Sequence, residues 1–289
     1  MMLNQLFKLI RPTHWIKNAF VFAALVYSKE LSQSNLIFQS VLTFITFCFV
    51  SSSIYILNDI RDKDSDSLHP VKKTRPIASG RISIKNALFL LSILLTIATL
   101  ILYFIPFNAV VFILIYAGIN TAYSFGLKNV VLLDIFIIAG GFMLRMLAGA
   151  AAISVEVSSW LIICTLFISL FLAIMKRRGE LRKSYKGNET RKVLKDYSEE
   201  LIRIVLSTSV AGSIMSYTLY TVSEHTIEYF HSNKMILTVP IVMYGIFRYI
   251  YIDEKLQNSE DTVNAILQDK GLLICGLVWI ISTLVIIYG

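Results

Sequence analysis

The chain has 289 residues, 56% hydrophobic and only 16% charged, with 27 Lys and Arg against 19 Asp and Glu. Soluble domains of this size are about 45–50% apolar and about 25% charged, so the composition excludes a water-soluble globule and also a disordered chain. In so apolar a chain the net charge of +8 marks cytoplasmic loops of a membrane protein rather than nucleic-acid binding.

The N-terminal stretch carries Lys8, Arg11 and Lys17 before a short apolar run over 19–27, with no small-residue cleavage pattern, so no removable signal peptide is expected. A spanning helix needs about 20 mostly apolar residues. Nine segments qualify: 16–30, 36–57, 84–104, 107–124, 130–152, 158–176, 201–222, 235–252 and 271–288. The first is short, and little more than Pro106 separates the third from the fourth. The expected fold is therefore an all-α integral membrane protein, with nine transmembrane helices in one polytopic domain over 1–289. Cys48, Cys164 and Cys275 all sit in apolar runs and read as small buried hydrophobes, with no disulfide framework or CxxC metal site.

Charge sets the sidedness. The connection between spans two and three, from Asn58 to Lys85, holds seven Lys and Arg, and the one between spans six and seven, from Lys176 to Arg203, holds ten. The connections near 28–35 and 223–235 contribute only Lys29 and Lys234. Nine spans place both basic segments, about 58–83 and 176–200, on the same side as the N-terminus. The positive-inside rule makes that side cytoplasmic, in a multi-pass cell-membrane protein.

The run Asn58-Asp59-Ile60-Arg61-Asp62-Lys63-Asp64-Ser65-Asp66 leaves span two directly. If the helix continues, 100° per residue gathers Asp59, Asp62 and Asp66 within about 60° of arc, with Asn58 at the edge and Asp64 opposite. Three converging carboxylates repel one another unless a cation sits between them, and oxygen donors in this number suit Mg²⁺, which also binds substrate phosphates. A solvated acidic helix end balanced by Arg61 and Lys63 is the plainer alternative. Downstream, Lys72, Lys73 and Arg75 place positive charge beside these acids. Arg75 could grip a phosphate bidentately, with a lysine acting as a mobile point charge. Pro70 and Pro76 oppose helix there, and Gly80 permits a turn before span three.

Polar residues within the spans are few. Asn120, Tyr123, Ser124 and Lys128 make a polar end to span four, readable also as an aromatic-belt tyrosine with a snorkelling lysine. Asp134 and Arg145 lie on nearly the same face of span five, about 16 Å apart by helical rise and too far to pair. Asp134 could meet a lysine or complete the metal site; Arg145 could serve a ligand or hold the bundle together through backbone carbonyls. His14, His225 and His231 lie near predicted membrane boundaries without metal-ligand spacing. No Ser-His-Asp arrangement, P-loop or Rossmann glycine pattern is present.

The stretch NDIRDKDSDSLHPVKKTRPIASG resembles the first aspartate-rich motif of the UbiA superfamily of intramembrane prenyltransferases, and its HPVKKTRPIASG portion is closest to the decaprenyl-phosphate phosphoribosyltransferase branch. RPTHWIKNAFVFAAL, YSFGLK, GFMLRMLAGAAA, KRRGEL and FRYIY extend the likeness over nearly the whole chain. The resemblance implies a single UbiA-like bundle with a cavity open to the cytoplasm and to lipid. It makes Asp59, Asp62 and Asp66 catalytic, these three with Asn58 the Mg²⁺ ligands, and YSFGLK a lining of the cavity.

Members that use prenyl diphosphates usually carry a second acidic motif after span six. Here nine of the twenty residues over 176–195 are basic, and Glu180, Glu189 and Asp196 form no DxxxD. Phosphoribosyl diphosphate brings a further phosphate and a polyprenyl phosphate one more, and that crowd of anions calls for lysines and arginines. Anionic lipid head groups could call for them too. Lys176, Arg177 and Glu180 share a helical face at the membrane end of span six.

The expected reaction moves 5-phosphoribose from phosphoribosyl diphosphate to a membrane polyprenyl phosphate. Lys17, Lys72, Lys73, Arg75, Tyr123, Lys128, Asp134, Arg145, Lys176, Arg177 and Glu180 are the expected substrate contacts, Mg²⁺ is the cofactor, and no nucleic-acid partner is expected. The alternatives are a prenyltransferase acting on an aromatic or quinone precursor, and a transporter with an acidic ion site. Transporters usually hold ions near the bilayer midplane, which these edge-placed acids are not.

Overall fold

The computed structural model describes residues 2–69, 72–184, 192–256 and 267–289, and among them every regular element is helical. Pro70, Lys186, Glu189 and Arg191 lie outside the described residues. The chain divides into two compact units, one of residues 1–137 with 144–156 and one of 138–143 with 157–289.

The first unit begins with α1 (Met2–Ile10), a 3-10 helix (Pro12–Phe22) and α2 (Ala23–Tyr27). It continues with α3 (Ser34–Arg61), α4 (Lys63–Leu68), α5 (Ile84–Leu102), α6 (Phe107–Phe125) and α7 (Leu133–Ala152), of which residues 138–143 group with the second unit. α3 is its deeply buried axis, whereas α5 and α6 turn most of their surface outward, where lipid can solvate apolar side chains but no open backbone. One core joins Val21, Phe47, Ile113, Tyr116 and Ala148. A second, built of Leu9, Ile56, Ile77, Ile82, Ala87 and Leu94, anchors α1 and the connection after α4 against α3 and α5.

The second unit comprises α8 (Ser159–Ser184), α9 (Glu199–Val222), α10 (Glu224–Phe230), α11 (Val239–Leu256) and α12 (Lys270–Tyr288). Phe171, Met175, Ile246 and Tyr249 form its core. Ser198 and Asp269 cap α9 and α12 by accepting the Leu201 and Leu272 backbone N–H groups.

Eight helices among the described residues are long and apolar enough to cross a membrane, and they match eight of the nine expected spans within a few residues. The segment expected as a short first span, 16–30, is not one of them. Its first part is the end of an eleven-residue 3-10 helix, Pro12–Phe22, followed by the five residues of α2. A 3-10 helix rises about 2.0 Å per residue, so helix and α2 together reach at most about 30 Å, close to the thickness of a hydrocarbon core.

So long a 3-10 helix is uncommon, and here buried polar side chains hold it. Trp15 Nε1 donates to Ser52 Oγ (3.1 Å), which donates to the Ile10 carbonyl (2.8 Å). Asn18 Nδ2 donates to Cys48 Sγ (3.3 Å). Arg145 Nε donates to Asn18 Oδ1 (2.7 Å) and its Nη2 to the Tyr116 hydroxyl (2.7 Å), with the guanidinium 4.4 Å from the Tyr116 ring centroid. Gly149 makes the close approach possible: a Cβ there would lie 2.0 Å from the Val21 carbonyl oxygen.

Candidate active site

The acidic run begins inside the last turns of α3, where Asn58 is half-buried and Asp59 buried. The helix expected to continue through Asp66 is interrupted at Asp62, whose φ of −88° and ψ of 7° separate α3 from α4. Backbone bonds still bridge the break, from Asp62 N to the Asn58 carbonyl (2.9 Å) and from Asp66 N to the Asp62 carbonyl (2.8 Å). The Asp62 side chain does not cap α4; it turns to Lys128.

The three carboxylates therefore do not converge on one point, as a continuous helix would require, but on two. Arg75 Nη1 donates to Asp59 Oδ1 (3.0 Å) and to Asp66 Oδ2 (2.6 Å), so both side chains reach one nitrogen. Lys128 Nζ lies 2.7 Å from each Asp62 oxygen and 3.4 Å from Asn58 Oδ1. Arg11 Nη2 adds a third cation, 2.6 Å from Asp59 Oδ1. Burial pushes the Asp66 carboxyl above the usual carboxylate range, an effect that Arg75 opposes.

Each partner is placed by local structure. Arg11 has a left-handed backbone (φ 52°), which turns the chain from α1 into the 3-10 helix. Arg75 follows a single 3-10 turn, Lys72–Thr74, and the connection beyond it is pinned by buried Ile77 and Ile82. Gly80 (φ 73°) supplies the turn before α5. Lys128 sits in the short 3-10 turn Leu127–Asn129 just past α6.

Asn58, Asp59, Asp62, Asp66, Arg75 and Lys128 thus come together in the first unit. Lys72 and Lys17 are half-buried, Lys73 is exposed, and Tyr123 is half-buried near the end of α6. Asp134 is fully buried in the first turn of α7. Arg145 is buried, and it bonds the Asn18 and Tyr116 side chains within the bundle.

Arg11 was not among the residues expected at this site. It stands 48 residues from Asp59 in sequence, and no spacing rule links them. Arg61, in the middle of the acidic run, instead lies over the Phe125 ring, 4.6 Å from its centroid.

In the second unit, Arg177 is fully buried and ion-paired with Glu180, one turn along α8, and Lys176 is half-buried beside it. Arg178 and Arg182 both reach the buried Asp253 Oδ2, at 3.3 and 3.0 Å. Arg178 Nη2 also donates to Glu254 Oε1 (3.0 Å). Arg248 pairs with Asp269 through two hydrogen bonds of 3.2 and 2.9 Å, which hold the Asp269 carboxyl below its usual range.

No three His, Cys, Asp or Glu side chains gather closely enough to share one ion among the described residues. Mg²⁺ asks for less: it is commonly held by one or two carboxylates, with waters and substrate phosphates completing its shell. The hard oxygens of Asp59 and Asp66, and of Asp62 and Asn58, fit that demand, because each pair already centres on a positive charge.

Fold and site define a multi-pass helical membrane protein whose carboxylates and cations cluster where spans end. The UbiA prenyltransferase family matches residues 18–186. The chain belongs to that family and is a UbiA-type transferase. It is 31% identical over 291 residues to the decaprenyl-phosphate phosphoribosyltransferase of Mycolicibacterium smegmatis, covering 96% of this chain and 91% of that one. To the protein of the same name from Corynebacterium glutamicum it is 30% identical over 292 residues, covering 97% and 86%. Its fold is similar to that of a UbiA homolog from Archaeoglobus fulgidus bound to GPP and Mg²⁺, with a TM-score of 0.73 at 17% identity over 99% of this chain and 100% of that one.

Proposed function

We propose that the protein transfers 5-phosphoribose from 5-phosphoribosyl 1-diphosphate to a membrane polyprenyl phosphate of the decaprenyl type, releasing diphosphate. The observation that carries this reading is the basic end of α8, where Lys176, Arg177, Arg178 and Arg182 stand in place of a second acidic motif. The names of the two bacterial relatives agree with it.

In the reaction the C1–O bond to diphosphate breaks, the leaving group keeps the electron pair, and an acceptor phosphate oxygen bonds to C1. The acceptor is already an anion, so no strong base is needed, and positioning carries much of the catalysis. Asp59, Asp62, Asp66 and Asn58 would hold Mg²⁺, which when bound neutralises developing charge on the departing diphosphate. Arg75 and Lys128 grip donor phosphates, with Arg11, Lys17, Lys72, Lys73 and Tyr123 around them. A carboxylate near C1 stabilises positive charge as the bond lengthens. Lys176 and Arg177 offer positive charge to phosphate groups, with Glu180 holding Arg177 in place. The site faces the cytoplasm with the N-terminus, in the cell membrane, as the distribution of Lys and Arg requires.

The test uses full-length protein in detergent with Mg²⁺, polyprenyl phosphate and phosphoribosyl diphosphate labelled in the ribose. Label should pass into an organic-extractable lipid and should stop with EDTA. Absence of transfer across several polyprenyl lengths, together with transfer from a prenyl diphosphate to an aromatic acceptor, would replace this reading by the prenyltransferase one.

A further inference from the structure

The pairing pattern around the aspartates carries a consequence for how the site fills. Arg75 Nη1 occupies the point shared by Asp59 and Asp66, and Lys128 Nζ the point shared by Asp62 and Asn58. We infer that Arg75 and Lys128 are exchangeable counter-ions that couple divalent-cation binding at the aspartates to the arrival of the donor diphosphate. The inference rests on the proposed role of these aspartates as metal ligands.

The argument is one of charge and reach. A divalent cation approaching either point meets a side-chain cation already bonded to the same oxygens, and like charges at such separations repel strongly inside a protein. A diphosphate relieves that conflict, because Arg offers it a planar fork and Lys a mobile point charge. Once both have turned to the anion, the freed carboxylates can take the metal, and every charge again has a partner.

The two residues are placed for such movement. Arg75 lies in the connection after α4 and Lys128 in the short turn after α6, where side chains are less confined than within a span. Arg11 differs: its left-handed backbone is part of the turn into the 3-10 helix, so it remains a fixed neighbour of Asp59.

By linkage, the factor by which diphosphate raises metal affinity equals that by which metal raises diphosphate affinity. The test is equilibrium dialysis of the full-length protein in detergent. Mn²⁺ serves as probe, its free concentration clamped by a metal buffer, with and without inorganic diphosphate, and bound Mn²⁺ is counted by electron paramagnetic resonance. For the wild type, diphosphate should raise Mn²⁺ affinity about tenfold or more. Arg75→Gln should raise the affinity without diphosphate by about tenfold and lower the coupling factor several-fold, leaving the part that Lys128 carries. Lys128→Gln, an independent route should the first variant fail to fold, should do the same to a smaller degree.

Arg61→Gln is the control: it removes a nearby charge that sits on Phe125 and not on a carboxylate, and it should leave both quantities nearly unchanged. If Arg61→Gln raises Mn²⁺ affinity as much as Arg75→Gln, the effect is one of net charge and exchange is overturned. Unchanged or weakened Mn²⁺ binding in folded Arg75→Gln and Lys128→Gln also overturns it, while the metal reading stands if Asp59→Asn abolishes binding. Binding that is indifferent to Asp59→Asn and Asp62→Asn would instead remove the metal reading itself.

Discussion

The two units each gather charge at the ends of their spans, with a different balance. In the first, Asp59, Asp62 and Asp66 are matched one for one by Arg11, Arg75 and Lys128. In the second, Arg178 and Arg182 converge on Asp253, Arg178 also reaches Glu254 and Arg177 pairs with Glu180, so that with Lys176 four cations stand against three carboxylates. An evenly matched cluster can exchange its cations for other cations. A cluster with a small surplus of arginine and lysine favours a further anion over a further cation.

The sharpest way to break this comparison is Asp62→Ala. It should lower phosphoribosyl transfer by about a hundredfold or more. Stability should fall by no more than about 2 kcal/mol, because Asp62 is 23% exposed and Lys128 sits in a short turn. Full activity in this variant would remove the first cluster from the chemistry.

The units also differ in how their glycines are used. A Cβ at Gly149 meets the Val21 backbone, whereas one at Gly212 meets the Phe167 ring. Backbone yields less readily than a ring can turn, so Gly149→Ala should destabilise by about 3 kcal/mol and Gly212→Ala by about 1 kcal/mol. Thermal unfolding in detergent would read both, and equal losses would show that the 3-10 segment is not locked.

Asp253→Ala should destabilise by about 2 kcal/mol, since its two arginines are partly exposed and screened. Activity per folded molecule should change far less than in Asp62→Ala, and a comparable loss would place Asp253 within the chemistry. The smallest effect is expected at Lys176→Met. The KM for phosphoribosyl diphosphate should rise about tenfold, the worth of one charge-assisted hydrogen bond, with kcat nearly constant. An unchanged KM would assign this basic face to lipid head groups.

Much of the molecule was legible from residue order. Eight spans follow from hydropathy, because the preference of an apolar side chain for lipid is a local quantity that adds along the chain. The NDIRDKDSD run showed that carboxylates gather where α3 ends, because their spacing along the chain is itself local, but the shared helix face it suggested is broken at Asp62. The run of Lys and Arg at the end of α8 likewise showed from residue order alone where positive charge gathers.

Other features needed the folded chain. The 3-10 helix over Pro12–Phe22 depends on Ser52, Arg145 and Gly149, all far away in sequence. The break at Asp62 accompanies a pull from Lys128, 66 residues on, and Arg11 reaches Asp59 across 48. The sequence by itself determined which segments enter the membrane and which sign of charge each end carries, since both are sums over neighbouring residues. Only the tertiary structure decided which cation holds which carboxylate, because an ion pair is made by nearness in space, and nearness across 48 or 66 residues exists only once the helices have packed.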